Sequence, residues 1–488
     1  MTLVPILIFW VLFVIGAVAP LPVLLCLFFG SLSFGTLAVV PPEWTRGLTL
    51  TATPFLSLLL IFRATLQSPG WFGWNLVQRL PRNQWLLLAF WAVAILATVT
   101  LPFVFAGQVE IIPMRGQQHW KPVPLQPSMQ NFSQLAYLSV SIVLVLAFTK
   151  LLRAETTRRN LALALCFGGI AAILTGCLDL ASLYVDLDFL LKPLRTATYA
   201  LAVDVRMLGG KRVVGLMPEA SAYGSVCLGL LSAIYFYRHL FTNFWSRELV
   251  APLIVAGLAV FCFLSKSSGT LVGLGIFVGL VVVDWLWRAL VLKPEHVRRK
   301  GLRIEAAAFL AILVVAVGYV LVNPEITKPI WALVDKMVLQ KSGSLSFEQR
   351  GMWRETAWNA LWKTHGLGIG VGSARASSSF VTVVSNTGIL GGILYYGYLL
   401  SCYLTRAKHL GPQEQVVVAG FRRAILPELV IATLVVCTVD FGPIMALHFG
   451  LIGSVASSVW FSSAGGACLE PANGSTDVVV PVGEPEDR

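Results

Sequence analysis

The chain has 488 residues, 57% of them hydrophobic and only 12% charged, with a mean hydropathy of +0.78. That composition excludes an ordinary soluble domain. A formal net charge of +12 does not by itself call for nucleic acid, because membrane proteins gather Lys and Arg in cytoplasmic loops; no nucleic-acid partner is expected.

Apolar runs of about 18 residues or more recur along the chain. They predict an all-α polytopic membrane protein, with one transmembrane domain over 1–462. Spans are expected near 3–18, 20–40, 47–66, 84–106, 132–152, 159–183, 216–236, 248–265, 268–291, 304–322, 380–404, 423–440 and 443–462. The first two are parted only by Ala19-Pro20-Leu21-Pro22, so about 12–13 spans are expected. Met1 runs into apolar sequence with no basic n-region, and no cleavable signal is expected. Of the eight cysteines, seven sit in apolar runs and none has CxxC spacing, which argues against disulfides and a zinc site. The Gly-, Pro- and acid-rich tail, 463–488, is expected to be a disordered cytoplasmic segment.

Orientation follows from the cations. Loops near 63–83, 150–159, 237–248, 288–303 and 405–423 hold 19 Lys and Arg. The opposite loops near 41–47, 107–131, 185–215, 265–268 and 323–378 hold 16 over a much longer total. The denser set is therefore placed in the cytoplasm. Two external loops still carry a cation excess: 185–215, with Lys192, Arg195, Arg206, Lys211 and Arg212, and 323–378, with seven basic residues. An external cation excess suits an anionic ligand; it also describes solvated loop charge.

Three stretches carry candidate chemistry. Ser346 and Gln349 have capping-box spacing, and Gly366 suits the C′ position, so a helix is expected between them. Arg350, Arg354, Trp358 and Leu361 then fall near one face, with Trp353 and Trp362 displaced from it. A guanidinium pair can grip phosphate oxygens and a tryptophan can stack on a sugar; an interfacial amphipathic helix has the same look. Gly366, Gly368, Gly370 and Gly372 follow, either presenting amides to an anion or making a flexible loop, and Arg375 comes next. In the second stretch, Arg206, Lys211 and Arg212 precede Glu219, with Pro218 placed for a first helical turn. Glu219 can serve as a base, as a helix-dipole partner or as the ion-pair mate of Arg212. The third is the turn Ser265-Lys266-Ser267-Ser268-Gly269, whose Lys266 either meets an anion or snorkels to the interface.

Other features weigh less. Asp186-Leu187-Asp188 has DxD spacing by chance, and Asn131-Phe132-Ser133 matches a common sequon. Asp179 and Asp440 are acids within or beside spans, a default flag for function. His365 reads as a helix-end residue before it reads as a base.

In these residues the chain resembles the O-antigen ligase and O-antigen polymerase family, multi-span glycosyltransferases of the GT-C type. Arg350-Gly-Met-Trp353, Gly368-Ile-Gly370-Val-Gly372, Met217-Pro-Glu219-Ala-Ser221-Ala-Tyr223 and Ser265-Lys266-Ser267-Ser268-Gly269 carry the likeness, over roughly 200–392. One departure stands out: where ligases of the family often have a histidine, the frame Ser377-Ser378, nine residues, Gly388-Ile-Leu-Gly391 places Ser377. The resemblance implies a metal-independent polymerase of polyprenyl-diphosphate-linked oligosaccharides in the bacterial inner membrane, active on the external side, needing no cofactor. A glycan ligase and a polysaccharide flippase or transporter are the alternatives. On this reading Arg212, Arg350 and Glu219 are catalytic, Arg206, Arg354, Arg375, Lys266 and Trp358 bind substrate, and membrane lipid, a chain-length regulator and a flippase are the partners.

Overall fold

The computed structural model describes residues 3–41, 43–45, 49–66, 80–114, 121–199, 201–207, 210–326, 328, 331–332, 335, 340, 343–407 and 410–465. They form an all-α membrane bundle. Its helices are α1 (Leu3–Val18), α2 (Leu21–Ser31), α3 (Ala52–Leu66), α4 (Arg82–Val104), α5 (Met129–Leu151), α6 (Glu155–Ala181) and α7 (Ala220–Tyr237). There follow α8 (Ala251–Leu264), α9 (Ser268–Leu290), α10 (Leu302–Val322), α11 (Leu345–Lys363), α12 (Ser379–Tyr403), α13 (Pro412–Val435) and α14 (Gly442–Gly465). Among the described residues, eight helices are long and apolar enough to cross a membrane: α4–α10 and α12, with α7, α8 and α10 taken with their flanking turns. α1, α2, α3 and the first part of α14 are shorter apolar helices. The expected tail lies outside the described residues beyond 465.

Two expected spans are re-drawn. The run near 20–40 is helical only over Leu21–Ser31. Beyond it, tertiary partners take the backbone: Thr36 N and Oγ1 both bond Leu216 O at 3.0 Å, Ala38 N bonds Thr196 Oγ1 at 3.0 Å, and Ala38 bridges Thr51. The run near 423–440 begins earlier, at Pro412, where Gly411 and a first-turn proline set a helix start. It stops at Val435. Its Arg422 donates to the Tyr403 and Thr405 carbonyls at 3.0 and 2.8 Å, which lets a charged helix lie in the bundle.

Residues 436–441 are a non-helical connection between α13 and α14. At its outer end Val435 lies by Gly269, at the start of α9. At its inner end Asp440 lies near Ser141, 12 residues into α5 and so about 18 Å along that helix from Met129. The connection thus descends into the bundle. Irregular backbone at such depth is tolerated where protein or a cavity surrounds it.

The connections between helices carry small ordered pieces. β1 (Glu110–Ile111) pairs antiparallel with β2 (Val123–Pro124), and β3 (Arg206–Met207) with β4 (Gly210–Lys211). The first hairpin packs Val109, Ile111 and Leu125 on Ala360, Ile369 and Ala374, which docks α11 on the membrane bundle.

Candidate functional site

α11 forms where the capping signals place it, one turn of detail aside. Its N-cap is Ser344 rather than Ser346. At the other end His365 N bonds Trp362 O at 3.0 Å and Gly366 N bonds Leu361 O at 2.9 Å. This is a Schellman closure in which His365, at φ 54°, takes the left-handed position and Gly366 follows it. His365 is thus an end-of-helix residue. The inward stripe is Trp353, Ala357, Ala360, Leu361 and Thr364. Two alanines in that stripe permit close approach, and this tertiary fit splits the face grouped in the sequence: Leu361 is buried and Arg354 exposed, while Trp353 turns inward. Trp358, half-buried, packs on Phe380 at 6.4 Å between ring centroids and on Trp362 at 5.7 Å. That contact joins α11 to α12 and narrows the surface Trp358 can offer a sugar.

The glycine run is neither an open anion cradle nor a loose loop. Ile369 N bonds Ser385 O at 3.0 Å, Gly370 N bonds Asn386 O at 2.9 Å, and Val371 N bonds Thr98 Oγ1 at 3.1 Å. The Ile369 and Gly370 amides are committed to the turn before a break in α12 at Gly388, which has φ 76° and ψ 175°, and the Val371 amide to α4. A Cβ on Gly388 would meet Leu367 O at 2.4 Å, and one on Gly368 would meet Gly388 N at 2.6 Å. Only glycine fits either position. Asn131 belongs to the same construction. It is buried, accepts from the Ser128 amide at 2.9 Å, and donates to Val371 O and Ser373 Oγ at 2.9 and 2.8 Å. The sequon match is therefore a capping residue.

Two groups of cations share electrostatic neighbours with Glu219. In the first, Arg212 Nε donates to Ser265 O at 3.3 Å and Val213 N to Leu264 O at 3.1 Å, which fixes the 206–215 segment against the α8–α9 turn. Lys266 sits on that turn at φ 46°. Burial pushes both Arg212 and Lys266 below their ordinary values; Glu219 pulls Arg212 back up, while Arg212 pushes Lys266 further down. The three groups therefore act on one another. In the second, Arg375 lies over the Trp353 ring at 4.7 Å and donates to Met114 O at 2.8 Å. Burial raises the Cys437 thiol, Arg375 and Arg350 pull it back, and Glu219 adds to the rise. The start of the 436–441 connection thus lies within electrostatic reach of Arg350, Arg375 and Glu219 together. Glu219 caps α7, is exposed, and accepts from Ser221 Oγ. Arg354 and Arg206 are exposed, the latter opposite Lys211 in the β3–β4 hairpin.

On its inner side the connection lines a cavity of about 270 Å³ between α7, α12, α13 and α14. The walls are mostly apolar, with Ser225, Ser379, Tyr396, Thr438, Glu428 and Asp440 among the lining residues. Sequence reading passed over Glu428, and over His448 behind it. His448 Nε2 is 3.7 Å from Glu428 Oε1, and its Nδ1 meets Tyr237 Oη at 2.9 Å. A carboxylate and a histidine in predicted spans were the available signal. Only the packing of α7, α13 and α14 brings them together.

Other flagged acids are structural. Asp179 is fully buried and holds four partners: Arg195 at 2.8 Å, Lys211 at 2.9 Å, and the Val214 and Gly215 amides at 2.8 and 3.2 Å. Two of the external cations are thereby spent on positioning the 206–215 segment. Asp188 pairs with Lys192 at 2.8 Å, and Asp186 accepts from the Asp188 amide at 3.0 Å, so the DxD match is a local turn. Among the described residues no group of three or more His, Cys, Asp or Glu is placed to hold a metal.

The cluster's cations suit a diphosphate, and a pH prediction follows. Lys266 loses its proton at a lower pH than an ordinary lysine, so affinity for inorganic pyrophosphate is expected to fall as pH rises through that lowered value, below 10.5. In the ligand-free protein the same shift acts in the opposite sense, since a depressed lysine favours folding more as pH rises. Calorimetric titration of pyrophosphate against pH checks this, with Lys266→Arg expected to flatten the profile. An unchanged profile in the variant would remove Lys266 from the site. Compared with known proteins, the chain matches no family model and no curated sequence.

Proposed function

We propose that the chain is a GT-C-like membrane glycosyltransferase that joins polyprenyl-diphosphate-linked oligosaccharide units into a surface or exopolysaccharide on the outer side of a bacterial inner membrane. The observation that carries this reading is that Glu219 acts on Arg212, which bonds the Lys266 turn, and that Glu219, Arg350 and Arg375 all act on Cys437, where the 436–441 connection passes a mostly apolar cavity. In the proposed step an acceptor hydroxyl attacks the sugar carbon that carries the diphosphate. The new C–O bond forms as the bond to diphosphate breaks, and the polyprenyl diphosphate leaves with the electron pair. Its developing charge is met by cations already in place. The hydroxyl proton passes to the Glu219 carboxylate. The mostly apolar cavity suits the lipid-facing part of a substrate.

The test is reconstitution of the purified chain in liposomes with a lipid-linked oligosaccharide. A ladder of products on the carrier lipid is expected. Single transfer to an added acceptor without a ladder would replace polymerase by ligase. A transporter is the second reading, favoured by one observation: helix breaks at Gly388 and 436–441 are the kind of interruption that transporters place at binding sites. Passage of the oligosaccharide across the bilayer with no new glycosidic bond would select it.

A further inference from the structure

At the end of the bundle opposite the candidate site, α7, α9, α10 and α13 meet in a buried charge cluster that the proposed reaction does not use. Arg288 is fully buried and contacts Asp284 at 2.8 Å and Glu305 at 2.5 Å. Arg238 also pairs with Glu305. Arg298 and Arg423 reach the same Asp284 at 2.5 and 2.7 Å. The next carboxylate along, Glu248, is taken by Arg247 at 2.6 Å. Four guanidinium groups therefore share two carboxylates, and their side chains are at most 18% exposed.

A guanidinium does not shed its proton to escape burial. The cluster thus holds two positive charges more than its carboxylates neutralise, at a depth where unmatched charge is strongly disfavoured. Polar atoms are left over as well: Arg238 Nε and His239 Nδ1 are buried without a hydrogen-bond partner among the described residues. The missing component has the character of a compact anionic group with several acceptor oxygens.

Its direction of approach is also defined. Arg423, at 18%, and Arg298, at 10%, are the more exposed members. The neighbouring surface of α9 and α10 is apolar and open, with Leu286 44%, Trp287 49%, Leu290 80%, Phe309 61% and Leu313 46% exposed. Such a surface belongs against acyl chains, with Trp287 near a helix end where aromatic rings sit at headgroups. We propose that this cluster binds the phosphate of an anionic membrane lipid, whose acyl chains lie along α9 and α10. The bound headgroup would tie α10 to the bundle through Arg288 and Arg238, which already hold its Glu305. This site stands apart from the proposed reaction and holds whether or not that reaction is correct.

The test uses the full-length protein in an uncharged maltoside detergent, with thermal unfolding followed by tryptophan fluorescence. Phosphatidylglycerol, phosphatidylcholine and inorganic phosphate are added at matched concentrations. Phosphatidylglycerol is expected to raise Tm by about 2 °C or more, with no comparable rise from phosphatidylcholine. In Arg298→Gln/Arg423→Gln the lipid-free Tm should be equal or higher, because surplus cations are removed, and the phosphatidylglycerol gain should vanish. Equal shifts from the two lipids, or a gain kept in the variant, would overturn the site. A full gain from inorganic phosphate alone would overturn the lipid assignment in favour of a soluble anion. Should the double variant not survive purification, native mass spectrometry of the wild type decides. Retention of phosphatidylglycerol over phosphatidylcholine at equal loading supports the site, and equal retention overturns it.

Discussion

Arg350→Ala is expected to lower glycan-ladder formation about 10²–10³-fold, the usual loss when one preorganised charge partner of a transition state is removed. Its Tm should stay near that of the parent. Arg350 is half-buried on α11, and among the described residues no carboxylate pairs with it, so its removal leaves no orphaned charge. Arg212→Ala should behave alike in turnover. Arg350→Lys should recover part of the loss, because an ammonium restores charge without the guanidinium's forked pair of donors. Initial rates in reconstituted vesicles, measured beside unfolding curves, separate this from a folding defect. Wild-type turnover in the Arg350→Ala/Arg212→Ala double variant would sink the proposed site.

Asp179→Asn should act in the opposite way, through stability. The carboxylate is fully buried and answers two cations and two amides at once. Replacing it with a neutral amide leaves Arg195 and Lys211 unmatched in the outer part of the bundle, at a cost of about 3–5 kcal/mol. The 206–215 segment should lose its fixed seat, taking Arg212 away from the Lys266 turn. The measurement is Tm of the purified variant together with protease sensitivity between α6 and α7. A variant with unchanged Tm and an uncleaved segment would show that the Asp179 cluster is not what holds Arg212 in place.

Much of the bundle was legible in the sequence because hydrophobic length is a local property. Helices occur in every region expected to span, and α4, α5, α6, α9, α10 and α12 fall within a few residues of their expected bounds. The short α2 and the early start of α13 were not legible. Thr36 and Ala38 leave helical geometry for partners more than 150 residues away, and the charges of α13 are answered by carbonyls and an acid from other helices. Arg212, Glu219, Lys266, Arg350 and Arg375 stood out by residue type, and the tertiary structure sets Arg212 on the Lys266 turn and Arg375 on the Trp353 ring of α11. Sequence spacing did not give the inward face of α11, because side-chain periodicity does not say which stripe a neighbour will accept. It also left the glycines ambiguous, since their role depends on the break at Gly388 that they bond.

By itself, the chain's composition determined a multi-span helical membrane protein with cations in its long loops. That follows from the energetics of burying an apolar segment in a bilayer, which is additive along the chain and needs no knowledge of neighbours. The tertiary structure alone decided how those cations divide. Arg195 and Lys211 are consumed by Asp179, whereas Arg212 bonds the Lys266 turn and Arg375 lies over Trp353. It alone also placed Glu428 beside His448, and four arginines on two carboxylates at the far end. Pairing a buried charge depends on which helices pack together, and in this chain the partners lie from a few residues to more than a hundred apart in sequence.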